Sequence, residues 1–88
     1  MKSRSRLDII AMILESAQDK KTKQIKIAFK AYLNYDQLKE YLPFLLESDL
    51  ISYERKERAY ITTKKGNEFL EKYKQLKNMI DLPLVVSD

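Results

Sequence analysis

The spacing of apolar residues changes twice along the chain, and those two changes limit the possible folds more than any other feature. Up to Ser48 apolar residues recur at the three- and four-residue intervals of helices. Over "LISYERKERAYITT", which begins at Leu50, they alternate as in strands; beyond it the helical interval returns. A chain of 88 residues supports one core, so helices, a short hairpin and a last helix must share it. The predicted class is mainly α with a small β-hairpin (α+β). The strands are expected at Leu50–Tyr53 and Ala59–Thr62, joined by "ERKER". That connection lacks the Asn-Gly centre the tightest hairpins favour. The one glycine, Gly66, comes later, in the first turn of the next helix, where the missing side chain would allow close packing against a neighbour.

Helix ends are legible as caps. Ser5 with Asp8 forms a capping-box pattern ahead of a helix from about Arg6 to Gln18, carrying Leu7, Ile10, Met12, Ile13 and Leu14. Thr22 is positioned to cap a second helix through "KQIKIAFKA", with Ile25, Ala28 and Phe29 on one face. Asn34 with Gln37 caps a third, whose buried stripe is Leu38, Leu42, Leu45 and Leu46. Pro43 falls inside that stripe, predicting a kink or a 3₁₀ step near Lys39–Pro43. The helix should end at Ser48–Asp49, with Asp49 left-handed. Thr62 or Thr63 caps the last helix, where Phe69, Tyr73, Leu76 and Ile80 form a heptad-like seam that Pro83 ends.

Cysteine and histidine are both absent, which removes thiol and imidazole chemistry and most transition-metal ligation. Asp36 and Glu40, four residues apart, are the one carboxylate pair that suggests acid chemistry or a cation. A solvated pair explains them better, so no enzyme activity, cofactor or metal is expected. The longest apolar run, "IIAMIL", is far below the roughly 20 residues that cross a bilayer. No membrane association is expected, and the lack of cysteine suits a cytoplasmic location. The charge of +4 is segregated: Lys2, Arg4 and Arg6 open the chain, and Lys20, Lys21, Lys23, Lys26 and Lys30 follow. Between Asn34 and Leu50 the balance reverses, with Asp36, Glu40, Glu47 and Asp49 against Lys39.

"LNYDQLKEYLPFLLESDLI" followed by "YITTKKGNEFLEKY" resembles the archaeal winged helix-turn-helix DNA-binding proteins, most closely their ten-kilodalton chromatin-associated group. The likeness runs from about Leu7 to Met79 and departs from the family at Asp49, where glycine is usual. It implies a homodimer held by the C-terminal helices, each domain presenting its third helix and wing to double-stranded DNA. The corresponding organisation is a basic arm (1–6), a winged domain (7–62), a dimerisation helix (63–80) and a tail (81–88). Recognition-helix candidates are Asn34, Tyr35, Gln37, Lys39 and Glu40, with Gln37 suited to adenine and Lys39 to guanine or phosphate. Backbone candidates are Arg4, Arg6, Lys21, Lys23 and Lys26, with Arg55, Lys56 and Arg58 at the wing tip. Dimer candidates are Phe69, Tyr73, Leu76, Met79 and Ile80. The expected function is duplex-DNA binding in a chromatin-associated or transcription-regulating role at the nucleoid. The alternative is a protein-interaction module, which an acidic third helix would suit. Six tyrosines, Tyr32, Tyr35, Tyr41, Tyr53, Tyr60 and Tyr73, raise stacking on single strands, but most are expected to face the core.

Overall fold

Three of the four helices begin where the caps predict. In the computed structural model, which describes residues 4–80, the order is α1 (Arg6–Ser16), α2 (Gln24–Lys30), α3 (Tyr35–Glu47), β1 (Ile51–Glu54), β2 (Ala59–Thr62) and α4 (Lys64–Met79). The Ser5 hydroxyl accepts the Asp8 N–H at 3.0 Å, and the Asp8 carboxylate accepts the Ser5 N–H at 3.1 Å. Asn34 and Gln37 make the same reciprocal pair at 2.8 and 2.9 Å. Thr63 caps α4 through the Gly66 N–H. Pro83 and the tail lie outside the described residues.

Two helices end in the same way. The Leu50 N–H bonds to the Leu45 carbonyl and the Asp49 N–H to that of Leu46, while Leu33 and Tyr32 repeat the pattern onto Ala28 and Phe29. In both places the hinge residue is left-handed, Asp49 at φ 63° and Tyr32 at φ 55°, which glycine would adopt with less strain. The hairpin pairs Tyr53 with Tyr60 and Glu54 with Ala59. Its turn, residues 55–58, needs just one left-handed residue, Arg58 at φ 52°, so no Asn-Gly is required. Gly66 takes the other use of glycine. A Cβ there would lie 2.2 Å from the Leu50 carbonyl oxygen and 2.6 Å from Thr62 Cγ2.

The core gathers Ile13, Leu14, Ile27, Leu38, Leu45, Ile51 and Leu70, with Tyr41, Phe69 and Tyr73 packed at its margin. Tyr73 donates to the Asp8 carboxylate, tying α4 to the start of α1. That bond, with the Ser5 cap and Lys77 at 3.5 Å, outweighs partial burial and holds the Asp8 carboxyl at about 2. Burial, then Asp8 itself, pushes the Tyr73 phenol to about 12.

Several expectations need correction. Ile25 and Phe29 do not face inward: α2 turns Ile27, with Ala31 just after it, to the core and leaves those two exposed. A helix of seven residues against α1 has one narrow contact face, and its apolar residues exceed what that face covers. Thr22 does not cap α2. It pairs in an isolated antiparallel bridge with Tyr60, each N–H meeting the other's carbonyl at 2.8 Å, and Lys23 begins the helix without a side-chain cap. A buried threonine favours extended backbone as readily as it favours a cap. Leu7 and Leu46 are exposed instead of lining the core. α3 is α-helical from Tyr35 to Glu47, with no 3₁₀ step at Pro43. Proline removes one N–H from the ladder, and on an exposed face water satisfies the carbonyl left over. Tyr60 is buried and Tyr41 and Tyr73 half-buried, but Tyr32, Tyr35 and Tyr53 are exposed. α1 stops at Ser16, short of Gln18, and β1 runs one residue later than expected.

Candidate nucleic-acid interface

Burial of Leu38, Leu42 and Leu45 fixes how α3 is turned. At 3.6 residues per turn, Asp36, Glu40 and Glu47 stand opposite that stripe, so the outermost edge of α3 is acidic. Lys39 lies to one side, toward the hairpin. Its ammonium sits 5.0 Å from the Tyr35 ring centroid. Tyr35, Lys39, Pro43 and Leu46 form one wall of a groove that Gln24 and Tyr60 complete from α2 and β2. Tyr53, paired with Tyr60 across the strands, holds its ring 4.9 Å from Tyr60 by centroid. The space between α3 and the hairpin is therefore aromatic, with one cation at its edge.

Beyond the hairpin the charge changes sign. Lys20, Lys21, Lys23, Lys26 and Lys30 line a single concave surface with Thr22 and Ile25. Glu57 at the wing tip draws two of them in: the Lys21 ammonium lies 3.4 Å from its carboxylate, and Lys23 donates to its backbone carbonyl at 2.9 Å. The Glu54 carboxylate accepts the Glu57 N–H at 2.9 Å and so stiffens the tip. Arg55, Lys56 and Arg58 are exposed on the same turn. Wing tip and approach to α2 thus form one cationic ridge, in which Lys20, Lys21, Lys23, Arg55, Lys56 and Arg58 outnumber Asp19, Glu54 and Glu57.

The candidate residues do not all meet there. Lys21, Lys23, Arg55, Lys56 and Arg58 belong to the ridge, with Lys26 further along the concave surface of α2; Tyr35 and Lys39 belong to the groove. Arg4 is elsewhere. Its guanidinium donates to the carbonyls of Ala31 and Tyr32 and lies against the Met12 sulfur, so it closes the end of α2 and is no free arm. Unpaired carbonyls at the negative end of a helix attract such a cation. Arg6 lies 5.8 Å from the Tyr41 ring, in a hollow with Ile10, Glu40 and Phe44. The Gln37 carbonyl oxygen already accepts the Asn34 N–H, so the two-point pairing with adenine that the sequence suggests would have to share that oxygen; its amide nitrogen remains available. Gln24 carries no sequence signal for this groove, and Tyr53 and Tyr60, raised by the sequence only as stacking candidates expected in the core, lie on the hairpin side of it. Tyr53 and Tyr60 had a readable signal, since alternation on either side of "ERKER" puts them opposite each other.

Along α4, Leu76, Met79 and Ile80 are exposed, while Phe69 and Tyr73 are half-buried on α1. Leu7 joins them, lining a shallow apolar trough with Phe69, Tyr73 and Leu76. Among the described residues, no group of three or more histidine, cysteine, aspartate or glutamate side chains is arranged to hold a metal ion. None of their helices is long and apolar enough to cross a membrane.

A family model described as winged helix-turn-helix matches residues 3–81. The uncharacterized protein MJ0290 of Methanocaldococcus jannaschii is 30% identical over 77 residues, which cover 88% of this chain and 36% of that protein. This chain therefore spans about a third of the length of that archaeal relative.

Proposed function

Since the chain belongs to the winged helix-turn-helix family, we propose that it binds duplex DNA as a homodimer in a chromatin-associated or regulatory role at the nucleoid. The observation that carries this reading is the cationic ridge joining Lys21 and Lys23 to the wing through Glu57. It runs beside the groove where α3 offers Tyr35 and Lys39. In this reading the ridge follows phosphates on either side of a groove while α3 enters it. The acidic edge of α3 limits base readout to Tyr35, Lys39 and the Gln37 amide nitrogen, which favours weak sequence preference. Leu76, Met79 and Ile80, exposed near heptad spacing, supply a seam for a two-fold partner.

Anisotropy of a labelled duplex across a salt series tests the reading. Log affinity should fall with log salt at a slope near −0.9 per phosphate neutralised, and Lys23→Ala and Lys56→Ala should each reduce that slope by about 1. Arg4→Ala should leave the slope alone and lower stability by about 1–2 kcal/mol, through its lost bonds to α2. Absence of duplex binding at low salt refutes the DNA reading. A monomeric solution mass refutes the dimer. A second reading, an interaction module, is favoured by Asp36, Glu40 and Glu47 on the outer edge of α3 with exposed Phe44 nearby; it gains if duplex binding fails.

A further inference from the structure

α2 shows solvent what a helix in a small domain normally buries. Ile25 and Phe29, four residues apart on one face of α2, form an apolar ridge and are 79% and 80% exposed, and Tyr32 just past the helix is 77% exposed. Tyr32 follows the end of α2, which its left-handed backbone closes, and its ring is likewise not buried in the domain.

Charge indicates what would cover the ridge. Lys26 and Lys30 follow Ile25 and Phe29 by one residue each and so run alongside the apolar line, with Lys20, Lys21 and Lys23 at its start. Among the described residues, neither Lys26 nor Lys30 forms an ion pair. α2 packs on α1 and α3, whereas α4 packs on α1 and β2; the ridge is separate from the seam on α4.

We propose that the ridge docks an acidic amphipathic helix of a partner protein. The partner's apolar stripe lies along Ile25, Phe29 and Tyr32, and its flanking carboxylates meet Lys26 and Lys30. Ile25 and Phe29 at i and i+4, with Tyr32 beyond the helix end, offer apolar side chains of the kind on which one helix seats another. A nucleic-acid strand fits less well, because Ile25 presents no ring for a base to stack on.

The test uses the full chain and a labelled synthetic helix of roughly 14 residues, with leucines at three- and four-residue spacing and glutamates beside them. A second peptide carries lysine for each glutamate, and labelled oligothymidine is the third probe. The acidic peptide should bind, and Phe29→Ala or Ile25→Ser should each weaken it by about tenfold. Lys26→Ala with Lys30→Ala should weaken it by about threefold, and the lysine peptide should not bind. Because Ile25 and Phe29 are exposed, both variants should melt like the parent. The proposal is overturned if the acidic peptide does not bind or binds the Phe29 and Ile25 variants equally well. Oligothymidine bound in a Phe29-dependent way would replace it with a stacking platform. A solution mass that falls on Phe29→Ala would replace it with contact between copies of this chain.

Discussion

Replacing Gly66 by alanine sets two effects of opposite sign against each other. Gly66 is in the first turn of α4, and by helix propensity alone alanine should gain up to about 1 kcal/mol. Space opposes it. The new methyl would lie 2.2 Å from the Leu50 oxygen, a backbone atom that accepts the Thr63 N–H at 3.1 Å and has no rotamer to escape into. Relief requires the first turn of α4 to back away from β1. That movement strains the Thr63 cap, whose hydroxyl accepts the Gly66 N–H at 2.9 Å and donates to the Asp49 carbonyl at 2.7 Å. Overpacking against an atom that cannot yield costs about 3 kcal/mol, and a weakened cap about 1 kcal/mol. Less the propensity gain, the net loss is about 3 kcal/mol, or about 15 °C in Tm for a domain of this size. Urea and thermal unfolding followed by far-UV circular dichroism would measure it. A variant that melts at or above the parent refutes the close approach between Gly66 and Leu50.

Two further outcomes follow from residues at the helix ends. Asp49→Gly should raise stability by about 1 kcal/mol by relieving the left-handed residue after α3, seen as a higher urea midpoint with an unchanged slope; a lower midpoint would show that the aspartate side chain contributes more than its strain costs. Asp8 and Tyr73 should shape the pH dependence. The folded Asp8 carboxyl titrates at about 2 against an ordinary 3.8, so its contribution is complete above about pH 4 and is lost as pH falls toward 2. Tyr73 is raised from 10 to about 12, so its contribution is complete below pH 10 and is lost as pH rises toward 12. Tyr73→Phe should flatten both limbs and cost about 1–2 kcal/mol near neutrality; unaltered limbs would refute the Asp8–Tyr73 bond.

What could be read from the sequence was local. Ser5 with Asp8 and Asn34 with Gln37 cap within one turn, Asp49 ends a helix as its position requires, and Gly66 is where a close contact needs it. Misreadings arose where a residue's role depends on distant parts of the chain. Thr22 has the chemistry of a cap and of a strand, and only Tyr60, far along the chain, decides between them. Arg4 has the composition of a flexible basic arm, but the open end of α2 captures it. Ile25 and Phe29 match a buried helical face as well as Ile27 does, and the choice rests on where α1 lies. In the candidate interface, the identity of the cations was legible. Their gathering around Glu57 was not, because it depends on the Thr22–Tyr60 bridge that sets the hairpin beside the segment ahead of α2.

The bridge between Thr22 and Tyr60 also bears on the cationic ridge. It closes a loop that contains α2, α3 and β1, and such a closure has an entropic cost before it yields any contact. Tyr60 meets Tyr53 of β1 through the short turn on one edge and Thr22 on the other. The bridge therefore joins the wing to the segment ahead of α2 as a short third strand position. Because Lys21 and Lys23 flank Thr22, the same bridge that adds Thr22 to the hairpin edge holds those lysines at the wing tip, so loosening the bridge would loosen the cationic ridge as well.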